Sequence, residues 1–174
     1  MSAPAPTPRT FRVFHCTTPE EQKRALELRI EVFVREQKFT MEDELDDKDD
    51  TADHFVMVAV NPDGTEEDAG TIRWWPKPGQ IAGKLGRLCV IPKYRGGGSG
   101  RNLVLFMEDH IRRRQGKAGA ALAGENSVLS VAHSQAYATG FYAKLGYKQE
   151  GEMFLEDGAD HMKMVKELQL DPEA

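Results

Sequence analysis

The nine residues from Tyr94 to Asn102, YRGGGSGRN, join an apolar run that ends at Ile91-Pro92 to a segment of helical periodicity. Leu103, Val104, Phe106, Met107, His110 and Ile111 fall at helical spacing from Gly100 onward, and Gly116 supplies a stop. Before the glycines, KLGRLCVI (84–91) reads as a strand closed by Pro92. Glycine and serine at this density also suit a flexible linker. A strand that passes straight into a helix, however, leaves no domain boundary here. A glycine-rich strand-to-helix turn presents several backbone N–H groups at the positive end of a helix, which is an anion site. Glycine matters because a Cβ would block the close approach of a phosphate.

The rest of the chain alternates strands and helices around this turn. At 174 residues it has room for one domain with a substantial core. The expected divisions are a frayed Pro-rich N-terminus (1–10), one domain (11–170) and a short tail (171–174). FRVFHCT (11–17) reads as a strand. Thr18-Pro19-Glu20-Glu21 then forms a helix start with a Thr cap, Pro at the first position and acids in the first turn. Ala25, Leu28 and Val32, with Ile30 and Phe33, carry that helix toward Glu36. Asn61-Pro62-Asp63-Gly64 is a turn signal, so HFVMVAV (54–60) and AGTIRWW (69–75) should pair antiparallel. SVLSVAH (127–133) is a further strand, and KAGAALAGEN (117–126) is expected to be a loose loop before it.

The acidic run EDELDDKDDTAD (42–53) is expected to be a solvated loop, with attraction of a cationic amine as the alternative. It lacks the glycine that a calcium loop needs at its sixth position. Arg112 to Arg114 sit in the last turn of their helix, where cations favour the dipole. A net charge of −5 argues against a duplex nucleic-acid binder. Cys16 and Cys89 both lie in apolar runs, too few for a disulfide framework and without metal-site spacing. They read as buried thiols in a reducing compartment. MSAPAPTPRT lacks the apolar core of a signal peptide and no later run reaches membrane-spanning length, so a cytoplasmic protein without a metal site is expected.

The identity of the anion follows from the frame of the glycines. No Lys-Ser or Lys-Thr follows them, as the nucleoside-triphosphate loop requires, and the dinucleotide fingerprint has a different frame. Arg95 to Gly100 spell R-x-x-G-x-G after Val90-Ile91-Pro92-Lys93-Tyr94. This string resembles the pyrophosphate-binding motif of the GNAT superfamily of acyl-CoA-dependent N-acyltransferases. Leu88, Val90, Pro92, Tyr94, Arg95, Gly96, Gly98 and Gly100 match its usual form. Ala138, Phe141, Tyr142, Lys144, Gly146 and Tyr147 match the family's later A-x-x-F-Y-x-K-x-G-[FY] segment. LRIEVFVREQ, His54, and an E-D-G-x-x-H-x-x-M ending at Glu156, Asp157, Gly158, His161 and Met164 are similar to its ElaA-like branch. The resemblance runs from about Leu26 to Leu168.

That resemblance implies an α/β fold with a mixed, mostly antiparallel sheet, flanking helices and a splayed strand carrying the cofactor loop. It implies transfer of an acetyl group from acetyl-CoA to a primary amine of a small molecule or peptide, directly in a ternary complex. The amides of Gly96, Gly97, Gly98, Ser99, Gly100 and Arg101 would hold the diphosphate, with Arg95 adding charge or pairing with a surface carboxylate. The backbone of Leu88, Cys89 and Val90 would pair with the cofactor's amide-rich arm. Tyr142 corresponds to the tyrosine that protonates the leaving thiolate, provided the site lowers its pKa somewhat. Gln135, seven residues earlier on the same helical face, would bond the cofactor or cap the helix.

A lysine-like amine must lose a proton at neutral pH, at about 1.36 kcal/mol per pKa unit, and Glu36, His54 and His161 are candidate acceptors. Arg29 and Arg73 would bind a substrate carboxylate or bridge helix to sheet. Trp74-Trp75 would line an acceptor pocket, make a dimer contact or simply pack. A homodimer is possible for the family. The competing readings are a non-catalytic acyl-CoA-binding module using the same loop, and a nucleotide-dependent kinase-like enzyme built on the glycines.

Overall fold

The computed structural model describes residues 9–172. The frayed N-terminus expected over 1–10 falls largely outside them, as do the last two residues of the expected tail. Strand β1 (Thr10–His15) takes in Thr10, and the amide of Asp171 donates to the Arg112 carbonyl, so both ends of the described chain are tied to the fold.

Helix α1 (Pro19–Arg29) starts where the capping signal places it: the Thr18 hydroxyl accepts from the Glu21 amide, and the Glu21 carboxylate takes the Thr18 amide in return. The periodicity continues, as expected, to Glu36, but over Ile30–Glu36 the winding is π-helical, with Gln37 donating to Val32. The acidic run is structured as a short helix, α2 (Met41–Glu44), and a 3₁₀ turn at Asp49–Thr51. Strands β2 (Asp53–Val60) and β3 (Glu66–Pro76) then form the antiparallel pair around the Asn61–Gly64 turn.

Strand β4 (Ala82–Val90) leads through the glycines into α3 (Ser99–Arg112) and α4 (Gly116–Ala121). Strand β5 (Ser127–Gln135), helix α5 (Thr139–Lys144) and strands β6 (Lys148–Gln149), β7 (Phe154–Glu156) and β8 (Ala159–Gln169) complete the chain. The sheet order is β1-β2-β3-β4-β5-β8-β6, with β7 paired to β8. Every pairing is antiparallel except β4 with β5.

Alternation along β2 builds a core on each face. Phe55, Met57 and Ala59 join Leu103, Met107 and Ile111 of α3, while Val56 and Val58 meet Ala25 and Leu28 of α1. The loose loop expected over 117–126 is instead half helix. The Asp53 carboxylate accepts from the amides of Lys117 and Ala118, and Ala118 and Leu122 are buried.

Trp74, fully buried at the centre of the sheet, presses on Gly83 of the neighbouring strand, where any Cβ would overlap the indole. Gly83→Ala is expected to lower stability by about 1–3 kcal/mol through this overpacking, read as an earlier urea-unfolding midpoint. An unchanged midpoint would mean that the indole moves aside freely.

Candidate active site

The sheet opens where β4 and β5 part. Their parallel pairing runs only from Ala82–Leu85 against Leu129–Ala132. Between Thr71/Arg73 on β3 and Cys89/Gly86 on β4 the register slips, so β4 holds one extra residue; Arg87 lies there with φ 52°. The bulge bends β4 away from β5, and from Gly86 onward its edge facing β5 has no strand partner. The gap is a cleft of about 220 Å³ lined by Leu88, Ser134, Gln135, Phe141, Tyr142 and the ionisable groups described below.

One end of this opening meets the glycine turn. Gly96, Gly97 and Gly98 have φ of 85°, 59° and 84°, a region that only glycine enters freely, and Gly98 caps α3 in the left-handed conformation. Ser99 fastens the turn through Oγ–H to the Tyr94 carbonyl at 2.8 Å. The amides of Gly97, Gly98, Gly100 and Arg101 donate to no acceptor among the described residues. These donors stand at the positive end of a 14-residue helix. Gly100 packs against Phe141 of α5, a Cβ there lying 3.3 Å from the ring, so the turn and the aromatic pair form one wall.

Tyr142 is almost fully buried at the cleft, edge-on to Phe141 and Tyr147 at ring separations of 5.1 and 5.7 Å. Burial pushes its phenol well above the ordinary value, so it stays neutral and protonated. The expectation that the site lowers this pKa is therefore reversed: nothing near the hydroxyl stabilises a phenolate.

Across the cleft stands an ionisable cluster. His133 Nδ1 lies 2.9 Å from Glu156 Oε1, and His161 Nε2 lies 3.9 Å from Glu156 Oε2. The His133 hydrogen bond, chiefly, holds the Glu156 carboxyl down to about 2, with Lys84 at 3.7 Å adding to it. An ionised carboxylate only accepts, so His133 carries its proton on Nδ1. The Ala159 carbonyl at 2.9 Å fixes the same tautomer for His161. In the neutral tautomer that these contacts select, the lone pair of each ring lies on Nε2. Burial pushes the Lys84 ammonium down.

With this geometry in place, the model of the acetyltransferase (GNAT) domain family matches residues 22–168. The chain belongs to this family. It is a GNAT acyltransferase, and its open, mostly antiparallel sheet is the GNAT fold. The Bacillus subtilis (strain 168) protein named uncharacterized N-acetyltransferase YjcF is 34% identical over 149 residues, covering 85% of this chain and 94% of that one. The B. subtilis protein YyaT is 32% identical over 152 residues, 87% of this chain and 93% of its own length. Among solved structures, a Lactobacillus plantarum protein described as an N-acetyltransferase superposes with TM-score 0.73 at 28% identity, over 91% of this chain and 98% of that one. Escherichia coli ElaA shares the fold at TM-score 0.67 and 22% identity, over 91% and 99% of the two chains.

Several residues singled out from the GNAT resemblance lie elsewhere than expected. Arg29 and Arg73 do not line the cleft. Arg29, 1% exposed, donates to Asp49 at 2.8 Å, to the Glu44 carbonyl at 2.8 Å and to the Glu44 carboxylate; Arg73 binds Asp46 at 2.7 Å and Asp49 at 2.6 Å. Both guanidinium groups are consumed internally, which leaves no fork for a substrate carboxylate. The acidic run is correspondingly no free solvated loop, because Glu44, Asp46 and Asp49 are the partners of these arginines.

His54 points at the Asp49 carbonyl, 2.9 Å away, outside the cleft, and burial lowers its pKa. Glu36 and Arg95 meet each other in a two-armed ion pair at 2.6 and 2.7 Å, and this pairing lowers the Glu36 pKa, making it a poor base. Arg95 thereby follows its surface-carboxylate alternative. Gln135 lines the cleft, but as the last residue of β5, paired with His161, and α5 starts only at Thr139; the seven-residue helical spacing to Tyr142 does not apply. Cys89 is buried, its Sγ 3.7 Å from the Leu28 carbonyl, and burial pushes its thiol up to about 12, so it is no nucleophile. Trp74 belongs to the core, whereas Trp75 stacks with Lys48.

The GNAT motif reading passed over His133, Glu156 as its partner, and Lys84. The available signal was positional: a histidine at the C-terminal end of the strand that pairs parallel, in a chain whose later E-D-G turn supplies a carboxylate.

Proposed function

We propose that this acyltransferase moves an acetyl group from acetyl-CoA directly to a primary amine of a small molecule or peptide, within a ternary complex. One observation carries the reading: the unpaired edge of β4 runs from the cleft holding Tyr142 to the glycine turn with its uncommitted amides. These features fit the cofactor's parts, since the turn suits a diphosphate and an open strand edge suits an amide-rich arm. When bound, acetyl-CoA supplies an activated acyl carbonyl and a thiolate leaving group.

The amides of Gly97, Gly98, Gly100 and Arg101 would grip the diphosphate, each charge-assisted bond contributing about 1.5–3 kcal/mol. Leu88 to Val90 would offer backbone groups to the arm, and Gln135 a side chain. Tyr142 would give its phenolic proton to the departing sulfur. On the opposite wall, His161 and His133 each present an Nε2 lone pair for the amine proton, directly or through a water, while Glu156 steadies the resulting imidazolium. The two buried cysteines, with no disulfide between them, suit a cytoplasmic setting; no helix among the described residues is long and apolar enough to cross a membrane.

Coenzyme A thiol release measured across a panel of amines tests this reading. Acetyl-CoA-dependent release with at least one amine is expected, and binding of acetyl-CoA without release for any amine would leave the proposed reaction without support. Gly98→Val separately tests the turn. A β-branched residue at φ 84° costs about 1–2 kcal/mol and displaces the neighbouring amides. Calorimetric titration with coenzyme A should then show at least a ~10-fold weaker Kd, and an unchanged Kd would remove the turn from cofactor binding.

A further inference from the structure

At the β1 edge of the sheet, apart from the residues that line the cleft, three ligating side chains converge that the sequence spaces far apart. His15 ends β1, Asp53 begins β2 and His110 lies in the last turns of α3, and one ligating atom from each lies within 4.8 Å of the others. His15 Nε2 is 2.9 Å from Asp53 Oδ1, and the two imidazole rings are 4.4 Å apart. His110 is 5% exposed, yet its Nε2 has no hydrogen-bond partner. A buried polar nitrogen left unpaired points to a missing partner.

Gly116 shows where that partner would fit. A Cβ at this residue would lie 2.5 Å from Asp53 Oδ1 and 2.7 Å from His110 Nε2, so the gap between these two atoms exists only because no side chain fills it. The backbone there, with φ +62°, is itself one that glycine favours.

We propose that His15, Asp53 and His110 form a binding site for a borderline divalent cation of the zinc class. Two imidazole nitrogens and one carboxylate oxygen are the donor set such ions take, with calcium and magnesium preferring all-oxygen sites. A tetrahedral ion with arms of about 2.0–2.2 Å holds its ligand atoms roughly 3.4 Å apart. The His15–Asp53 separation of 2.9 Å lies just under that figure and the remaining ones lie within 4.8 Å, so the three atoms stand within reach of one ion.

Asp53 is already oriented by the amides of Lys117 at 3.0 Å and Ala118 at 2.9 Å, which occupy one lone pair on each oxygen and leave the pair now facing His15 for the ion. His15 is the partly exposed member and gives the entry side, where water completes the coordination. The ion would clamp α3 to the edge strands, on the order of 16 Å along the helix from the glycine turn.

Titration of the full chain with Zn²⁺, and with Co²⁺ as a visible-absorbing reporter, tests the site. A single saturable equivalent is expected, with the absorption of low-coordinate Co²⁺ and a rise of about 5 °C or more in Tm at saturating Zn²⁺ but not Mg²⁺. His110→Gln and His15→Gln should each weaken binding at least ~100-fold, whereas His133→Gln and His161→Gln, which alter the other histidine cluster, should leave it unchanged. The glutamine variants keep Asp53 and its amide contacts, and circular dichroism checks their folding. Absence of saturable binding to the wild-type chain overturns the proposal, as does binding that survives His110→Gln or is lost on altering the cleft histidines.

Discussion

Replacing Tyr142 by phenylalanine should lower kcat by about 10²- to 10⁴-fold while coenzyme A affinity stays within about threefold. The substitution removes one hydroxyl that has no hydrogen-bond partner among the described residues and leaves the ring packing against Phe141 and Tyr147 in place. Stability and cofactor binding therefore have little reason to move.

The burial that raises this phenol's pKa looks at first like a handicap for an acid. It acts equally on sulfur, however: the buried thiols Cys16 and Cys89 are both pushed up to about 12. A thiolate expelled beside Tyr142 would be more basic than in water by the same physics, so the two proton affinities rise together. A neutral phenol would then still match the thiolate as a proton donor. Turnover of the phenylalanine variant at the wild-type rate would transfer that task to water. A fall in kcat that came with a matching loss of coenzyme A binding would make Tyr142 a packing residue.

How much of this was readable depended on how far each contact reaches along the chain. The Thr18 cap, the Asn61–Gly64 turn and the glycine frame are written within a few residues, so local chemistry dictates them. The cap of α4 is not: Asp53 reaches the Lys117 and Ala118 amides from 64 and 65 positions away, and without that carboxylate the segment has the composition of a loop. The acidic run misleads for the same reason, since local repulsion predicts an open loop and only folding brings three arginines to it. The seven-residue spacing from Gln135 to Tyr142 suggests one helical face, while pairing with β8 keeps the chain extended through Gln135. The His133–Glu156 pair required knowing that β7 lies beside β8, next to β5.

Those arginines carry the largest expected effect on stability. Arg29→Met should cost about 3–5 kcal/mol, because it leaves Glu44, 3% exposed, as a buried charge without its main partner. Arg29→Met with Glu44→Met should recover much of the loss, since the pair is then replaced by packed apolar side chains while Asp49 keeps Arg73 at 2.6 Å. Chemical unfolding of the two single variants and the double measures the coupling, and a double variant no more stable than the singles would reject it.

Acid should act through the same network. Burial alone would raise the Asp46 carboxyl, but the Arg73 hydrogen bonds, with Arg87 nearby, outweigh it and hold the group down to about 2 from 3.8. A carboxyl depressed in the folded state contributes stability that is present above the unfolded value and lost as pH falls through the folded one. Stability should therefore decline between about pH 4 and pH 2, and less steeply in Asp46→Asn.

The network also reaches the cleft. Arg87, at the β4 bulge, donates to the carbonyls of Asp43 and Glu44 at 3.0 and 3.2 Å, so the acidic segment is fastened to the point where the sheet opens. Arg29→Met should thus disturb the part of the cleft lined by Asp43 and Glu44, raising KM for the amine more than for acetyl-CoA. A substrate-binding arginine would instead raise KM without loss of stability, and that pattern would return Arg29 to the site.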